Sequence, residues 1–454
     1  MTINLRIGLA ALGLITISLA QTANAEDLLT VYMQAKESDP QISAAEAGYL
    51  ATLEKRPQAL SQLKPSVTLT GSSSYKLSET WYNSYDSASA LANSAYSLTL
   101  NKPLYRRQMN EQIAQTDIVI AQAQESLLAE QQNLILRVAE AYFTYLTARD
   151  TAEFSRSEAV AIERQYTQVK AYFEAGRSAI TDVKESQAVY DEARASVAIA
   201  DQNVDIALES LQTLTGRYYK ILRGASDNTP MAVPTPNNIT AWTEAAQQNN
   251  KTIKVADYAV KIAQKSVDIA RAGKKPTLDF YATHNGSISR GKPSADNEYT
   301  DASVGIQFSM NLYDAGNADA AIREARYNFH KELQNLEAAK RSAIQQVRTY
   351  YLNIITGLTQ LQALKRSLES NEVANKATQE GFRVGTRTAV DVLTSLRGTY
   401  SAQRNYSSAR YTFLLNTIRL KQAAGTLSEQ DLASLSRILN RSSSTTLAPL
   451  KPAE

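Results

Sequence analysis

The chain has 454 residues, of which 43% are hydrophobic and 20% are charged, and its formal net charge is +3. It contains no Cys and only two His, which excludes disulfide scaffolds, thiol nucleophiles and metal sites built from Cys or from several His. A net charge so close to balance gives no case for a nucleic-acid surface. Since no catalytic constellation remains, the composition predicts neither an enzyme nor a cofactor.

Residues 1–25 have the pattern of a secretory signal peptide. One early charge, Arg6, precedes the apolar run 7–19, and Ala23-Asn24-Ala25 follows as a small-x-small cleavage pattern. The apolar run is too short to span a bilayer as a helix, although a buried N-terminal helix would also fit it. We therefore expect export from the cytoplasm. No Cys follows the run, so we expect no lipid anchor at the mature N-terminus. No later stretch approaches eighteen consecutive apolar residues, so any part that enters a membrane must consist of strands.

Two very long segments lack helix breakers. Residues 104–175 contain neither Gly nor Pro, and a continuous helix of that length would be roughly 110 Å long. Residues 317–380 form the second segment, which contains only Gly357, and we expect Gly381 and Gly385 to interrupt it. Apolar residues recur every seven positions in the first segment, which indicates left-handed packing on neighbouring helices, at Ile113, Ile120, Leu127, Leu134 and Ala141.

The two long segments belong to an internal duplication. Gly176 recurs as Gly385, and Asp182 recurs as Asp391, with the same shift of 209 residues. A period of this size indicates two copies of a large unit rather than a short-repeat solenoid. Shorter helical segments match the long ones in summed length, so we expect each long helix to pack against two shorter ones placed end to end. The pairs are 182–214 with 241–273, and 28–63 with 389–424.

Four strand-like segments precede the long helices in pairs. Residues 302–312 alternate most clearly between apolar and polar side chains, and 66–70, 96–101 and 277–283 alternate as well. Such alternation is typical of outer-membrane strands, and equally of an ordinary antiparallel sheet with one wet face. We interpret the polar stretches 78–93 and 285–301, between the strands of each pair, as long loops.

The expected secretion favours the membrane interpretation of these strands. Four strands cannot close a barrel, and an open sheet edge cannot lie in lipid, so several chains must pool their strands. Two chains would give eight strands and three would give twelve, and the polar inner faces favour the wider, water-filled barrel. The sequence therefore predicts a trimer.

At this point the chain resembles the TolC family of outer-membrane efflux and type I secretion channels, and its members without a lipid anchor more than the lipid-anchored ones. The similarity extends from about Asp27 to Leu435, and the most specific stretches are Ala179-Ile180-Thr181-Asp182-Val183, Val384-Gly385-Thr386-Arg387-Thr388 and Ala424-Gly425-Thr426-Leu427-Ser428. The resemblance implies a mixed, mainly α fold: a trimer with a 12-stranded transmembrane β-barrel continuous with a periplasmic α-helical barrel. It implies a passive exit duct for drugs or proteins in the outer membrane of a Gram-negative bacterium.

The resemblance also implies the domain plan and the partners. We expect a signal peptide (1–25) at the start and a flexible tail (441–454) at the end. The first repeat then has helical (26–64), strand-pair (65–102) and long-hairpin (103–214) segments, followed by a connecting equatorial segment (215–240). The second repeat has helical (241–275), strand-pair (276–312), long-hairpin (313–425) and equatorial (426–440) segments. The implied partners are two further copies of the chain, a periplasmic adaptor, an inner-membrane transporter of the RND, MFS or ABC type, and outer-membrane lipid, but no nucleic acid.

The family's periplasmic entrance is closed by polar links between the repeats and lined by rings of aspartate. By resemblance, the entrance gate comprises Thr181, Asp182, Phe382 and Arg387, and Asp391 forms a selectivity ring. Gly176 and Gly385 mark the turns at the periplasmic tips. Taken alone, either Asp is better interpreted as a helix N-cap, and only the resemblance favours a role at the entrance.

Two positions depart from the family pattern at this entrance. Phe382 stands where a Tyr occurs in the family representative, and Thr394 stands where a second Asp would lie. One hydroxyl hydrogen bond and one acidic ring are therefore missing. The strongest alternative from another class is a periplasmic coiled-coil adaptor that never enters the membrane.

Overall fold

A computed structural model describes residues 26–82, 85–219, 222–224, 229, 231–291 and 297–443, without the side chains of 78–82, 85–89 and 440–443. The predicted signal peptide and most of the predicted tail lie outside the described residues. Within them the elements are, in chain order, α1 (Leu28–Ser38), α2 (Pro40–Leu53), α3 (Lys55–Ser61), β1 (Ser66–Tyr82), β2 (Tyr85–Arg106), α4 (Arg107–Glu174), α5 (Ile180–Thr215), α6 (Ile239–Asn249), α7 (Lys251–Ala272), β3 (Thr277–Arg290), β4 (Asn297–Ser309), α8 (Asn317–Arg383), α9 (Ala389–Ala423) and α10 (Glu429–Ser443).

The element order repeats, as the sequence predicts. Each half has short helices, two strands, one very long helix and one helix of about half that length. The long helices α4 and α8 have 68 and 67 residues, and the returning helices α5 and α9 have 36 and 35. In the described part of the chain, no helix combines the length and the apolar character that crossing a membrane requires.

The shorter helical segments are more broken than the sequence indicates, so the prediction of single helices over 28–63 and 241–273 is wrong. Asp39 ends α1, and its carboxylate accepts from the Gln41 N–H at 2.9 Å to begin α2. Asn250 separates α6 from α7 in the same way, with its side-chain oxygen 3.1 Å from the Ile253 N–H. These residues satisfy helix ends locally. Pro40, directly after Asp39, is a helix-start signal that the prediction overlooked, whereas no Gly or Pro marks the break at Asn250.

The long helices do pack against shorter ones placed end to end. Helix α4 lies along α5 over one part of its length and along α7 over another, as predicted. Helix α8 lies along α9 and then along α7 and α6. Within one protomer α1–α3 contact α4 rather than α8, so residues 28–63 do not pair with the second long helix as expected.

The main hydrophobic core lies midway along the long helices, where both repeats meet. Tyr142 and Leu146 of α4 are fully buried there, together with Ile354 of α8 and Leu420 of α9. Both hairpins are therefore anchored in one core at their middle, while their ends extend well beyond it.

The four strands form one antiparallel sheet in the order β1-β2-β3-β4, so β1 and β4 are its edges. Residues directly opposite each other on neighbouring strands share a face. One row across the sheet is wholly apolar, with Val67, Leu100, Ala282 and Val304. The next row, on the other face, is wholly hydroxylic, with Thr68, Thr99, Thr283 and Ser303. The predicted alternation thus produces one apolar and one polar face.

The strands are longer than predicted at their outer ends. Residues 78–93 and 285–301 are mostly strand rather than loop, because Tyr and Thr favour strands and pairing with the neighbouring strand continues through the Ser residues between them. The hairpin of β1 and β2 also extends further than the hairpin of β3 and β4, since β2 pairs with β3 only from Ala92 onward. Residues 85–91 therefore form a two-stranded ribbon with β1 alone.

The inner ends of the strands also differ from the prediction. Strand β2 continues to Arg106, with a register shift between Pro103 and Tyr105, so the long helix starts three residues later than its Gly- and Pro-free run. Strand β4 ends at Ser309 rather than near Leu312.

Candidate functional site at the hairpin tips

The two helical hairpins end in matching turns. Gly176 and Gly385 have φ angles of 72° and 82°, a left-handed conformation that favours glycine. The Arg177 N–H donates to the Tyr172 carbonyl at 2.7 Å, and the Thr386 N–H donates to the Gly381 carbonyl at 2.8 Å. The duplicated turns are thus closed by equivalent hydrogen bonds.

Gly381 does not interrupt helix α8, contrary to expectation, since the helix continues to Arg383. An added Cβ at Gly381 would lie only 2.8 Å from Cγ of Arg387. The glycine therefore makes room for the arginine that follows the turn, rather than breaking the helix.

Asp391 caps helix α9. Its carboxylate accepts from the Thr388 N–H at 2.9 Å, and its own N–H donates to the Thr388 hydroxyl at 3.1 Å. The backbone N–H and the hydroxyl of Thr388 lower the pKa of Asp391, and the nearby positive charge of Arg387 lowers it further. Within the protomer the pKa therefore moves opposite to the rise expected when like carboxylates crowd one ring.

Asp182 caps helix α5 in a different way, because Ala179 stands where the second repeat has Thr388. The carboxylate of Asp182 accepts from the Ser178 hydroxyl at 2.7 Å and from the Ala179 N–H at 3.3 Å. Asp182 is half-buried, and the neighbouring Thr181 is exposed.

Arg387 lies at the tip with an exposed side chain. Its backbone N–H donates to the Gly381 carbonyl at 3.2 Å, but among the described residues of the protomer its guanidinium forms no salt bridge with Asp182 or Asp391. The expected link between Arg387 and Asp182 is therefore not formed within one protomer. The guanidinium remains available to a neighbouring copy of the chain.

Phe382 joins a small apolar cluster that all four hairpin helices build at the tip. The cluster contains Val169 of α4, Val183 of α5 and Ala389 of α9, with Tyr166 and Phe382 packed against it. The ring of Phe382 lies 5.8 Å from the ring of Tyr172, centroid to centroid. The structure thus brings both repeats together at the position of the predicted gate.

Three residues of this tip were not among the predicted site residues. Thr388 was recoverable, since Thr-x-x-Asp before a helix is a capping-box pattern. Ser178 and Tyr172 gave no such signal. Among the described residues no cluster of His, Asp and Glu is arranged to hold a metal ion.

Comparison with known proteins identifies the class. The sequence matches the family described as outer membrane efflux protein over residues 31–217 and 242–426, which are the two repeats. It is 36% identical to the outer membrane protein TolC of Vibrio cholerae, over 93% of this chain and 95% of that one. It is 28% identical to the alkaline protease secretion protein AprF of Pseudomonas aeruginosa, over 92% and 89% of the two chains.

A solved structure of the channel CusC has the same fold, with a TM-score of 0.75 and 17% identity over 90% of this chain and 95% of that one. This chain belongs to the outer membrane efflux protein family. It is an outer-membrane channel of the trimeric efflux and secretion type that extends into the periplasm, and it is not an enzyme. The alternative of a periplasmic adaptor is therefore wrong.

Proposed function

We propose that three copies of this chain form the exit duct through which an inner-membrane pump passes drugs or proteins to the exterior, and that the hairpin tips are its entrance gate. The apolar face of each sheet meets lipid and the polar face lines water. A periplasmic adaptor and a transporter of the RND, MFS or ABC type complete the pathway. The pump selects the cargo, because a wide polar duct offers few selective contacts.

The observation that supports the gate most directly is the convergence of both repeats at the tips. A single small cluster holds the ends of α4, α5, α8 and α9 together. Asp182, Arg387 and Asp391 lie within a few residues of that cluster, and the guanidinium of Arg387 is exposed for a partner in the next protomer. Closure then depends on charge-assisted hydrogen bonds between protomers, each worth about 1.5–3 kcal/mol.

The resemblance to relatives supports both kinds of cargo. One relative is named a protease secretion protein, and others are named TolC or efflux pump outer membrane proteins. Each of them matches most of this chain's length. In a host strain without its own exit duct, this chain should restore drug resistance when a cognate pump and adaptor are supplied. If the host stays drug-sensitive although normal amounts of the trimer are present in its outer membrane, the efflux role is contradicted.

The proposed gate is tested by Arg387→Ser in planar bilayers at low ionic strength, where exposed charges are least screened. We expect single-channel conductance to rise, because the exposed guanidinium no longer bonds a neighbouring protomer. Arg383→Ser is the matched control, since Arg383 is exposed as well and, among the described residues, pairs with Glu380 of its own helix at 2.8 Å. Equal conductance in wild type and Arg387→Ser would refute the lock.

A further inference from the structure

Tyr172 makes a contact that crosses from one repeat to the other. It lies near the end of α4, and its ring is 5.8 Å from that of Phe382 near the end of α8, with the planes inclined by 35°. Both side chains are half-buried. Aromatic pairs at this distance attract each other beyond the area they bury. The contact therefore ties the first hairpin directly to the second at the tip.

The ring of Tyr172 is held in place by two further groups. The guanidinium carbon of Arg177 lies 4.8 Å from the ring centroid, in the position of a cation–π contact. The Gln168 amide donates to the Tyr172 hydroxyl at 3.1 Å. Both groups belong to the first hairpin, so the ring is oriented by its own hairpin and presented to Phe382 of the other.

The duplication shows that this arrangement is not a repeated packing feature. The counterpart of Tyr172 in the second repeat is Gly381, which has no side chain to offer, and the space beside it holds Arg387. The counterpart of Phe382 in the first repeat is Phe173, whose side chain is 40% exposed. The contact of Tyr172 with Phe382 therefore has no counterpart formed by Gly381 and Phe173.

We propose that Tyr172 is a positioning residue of the gate, which holds the two hairpins of each protomer together through Phe382. This inference rests on the proposed function of the tips. Phe382 has no hydroxyl to bond an acidic partner, and the aromatic contact supplies the connection between the repeats in its place. Opening the entrance separates α4 from α8 at the tip and breaks this contact.

The contact between Tyr172 and Phe382 should respond to ionic strength differently from the charged links of Arg387. The links of the exposed Arg387 weaken as ionic strength rises, because salt screens exposed charges. Apolar contact between aromatic rings is not screened in this way, and salts such as sulfate and phosphate strengthen apolar burial. Closure at high salt should therefore depend more on Tyr172 than closure at low salt does.

Planar-bilayer recordings of the purified trimer test the proposal. Tyr172→Ala should raise conductance several-fold at high salt, where Arg387→Ser adds little. Phe173→Ala is the matched control and should behave as wild type, and Tyr172→Phe should stay closed because it keeps the ring. Combining Tyr172→Ala with Phe382→Ala should add nothing to either change alone. Wild-type conductance for Tyr172→Ala, or independent effects of the two alanines, would overturn the proposal.

A second measurement does not depend on gating. The chain has no Cys, so Tyr172→Cys with Phe382→Cys can be joined within one chain by a short bis-maleimide cross-linker, seen as a faster-migrating band in denaturing gels. A band that forms and locks conductance low supports the tie. No band contradicts the contact itself, whereas a band with unaltered conductance shows that the tips are not the gate. If Tyr172→Ala yields no trimer, Phe382→Ala tests the same contact from the other side.

Discussion

Tyr411 of α9 donates its hydroxyl hydrogen bond to Asp150 of α4 at 2.8 Å, which joins the second repeat to the first near the main core. Ser407 donates to the same carboxylate oxygen at 2.6 Å, and Arg149 pairs with the other oxygen at 2.7 Å. Burial raises the pKa of the Tyr411 phenol, and the negative charge of Asp150 raises it further. The hydroxyl therefore keeps its proton and remains a donor.

Tyr411→Phe should destabilise the protein, because it leaves a largely buried carboxylate with one donor fewer. The expected loss is about 1–3 kcal/mol per protomer. Heat dissociation of the trimer in detergent measures it. Tyr406→Phe is the matched control, since no hydrogen bond from the Tyr406 hydroxyl occurs among the described residues. Equal losses for the two variants would show that the Asp150 contact contributes nothing specific.

The two faces of β4 should differ in their contact with lipid. Val304, Ile306 and Phe308 share the apolar face, and Gln307 lies on the polar one. Ile306→Arg should cost roughly 2–4 kcal/mol near mid-bilayer, and Gln307→Arg far less. Single Cys substitutions at 306 and 307 provide the measurement. A water-soluble thiol reagent that labels both positions equally would show that the face assignment is wrong.

Asp391 should make the pore cation-selective, since three copies place three carboxylates around one constriction. Asp391→Asn should abolish most of this selectivity, measured as the reversal potential in a salt gradient. Thr394→Asp should tighten block by divalent and trivalent cations, because it adds the missing ring of charge. If Asp391 acts only as a helix cap, Asp391→Asn would lower thermal stability and leave the reversal potential unchanged.

The pH dependence of this selectivity follows from the hydrogen bonds of Asp391. A carboxyl whose pKa is lowered in the folded state stabilises the fold above its unfolded pKa, and that contribution is lost as the pH falls through the folded pKa. Since Thr388 lowers the pKa of Asp391, selectivity should persist into the range where a free Asp, with a pKa of about 3.9, is already protonated.

Thr388→Val should move the loss of selectivity to higher pH, because it removes the hydroxyl but keeps the backbone N–H. Thr394→Val is the control, with the same chemical change on an exposed residue that, among the described residues, forms no hydrogen bond with Asp391. Reversal potentials recorded over a pH series give the pH at which each variant and the wild type lose cation selectivity. Selectivity that fades well above pH 4 in the wild type would mean that repulsion within the ring outweighs the cap.

The large-scale plan of this molecule was predictable from its sequence because it depends on long-range patterns. Runs free of Gly and Pro define α4 and α8, and the constant shift between Gly176 and Gly385 defines the repeat. Local breaks were not predictable in the same way. The break at Asp39 has a local signal in Pro40, which begins α2, whereas Asn250 begins α7 through a side-chain hydrogen bond with no Gly or Pro beside it.

The proposed gate was predictable only in part. The two turns and the acidic caps have short, recognisable patterns around each glycine. The contact of Tyr172 with Phe382 has none, since it depends on how two hairpins some two hundred residues apart converge in space. Likewise, the Ser- and Tyr-rich stretches beyond the apolar parts of the strands do not show where a strand ends, because ladder pairing between neighbours decides that.

The two free edges of the sheet, β1 and β4, make each subunit dependent on its neighbours. A single protomer would expose unpaired backbone groups at both sheet edges to lipid, so it is not stable in a bilayer by itself. All three copies must fold and pair their edge strands before the barrel closes. A defective copy that still assembles would therefore impair the function of every trimer that contains it. With equal expression of defective and normal copies, only about one in eight trimers would contain three normal subunits. Gate mutations in this protein should accordingly be dominant in cells that also produce the normal chain.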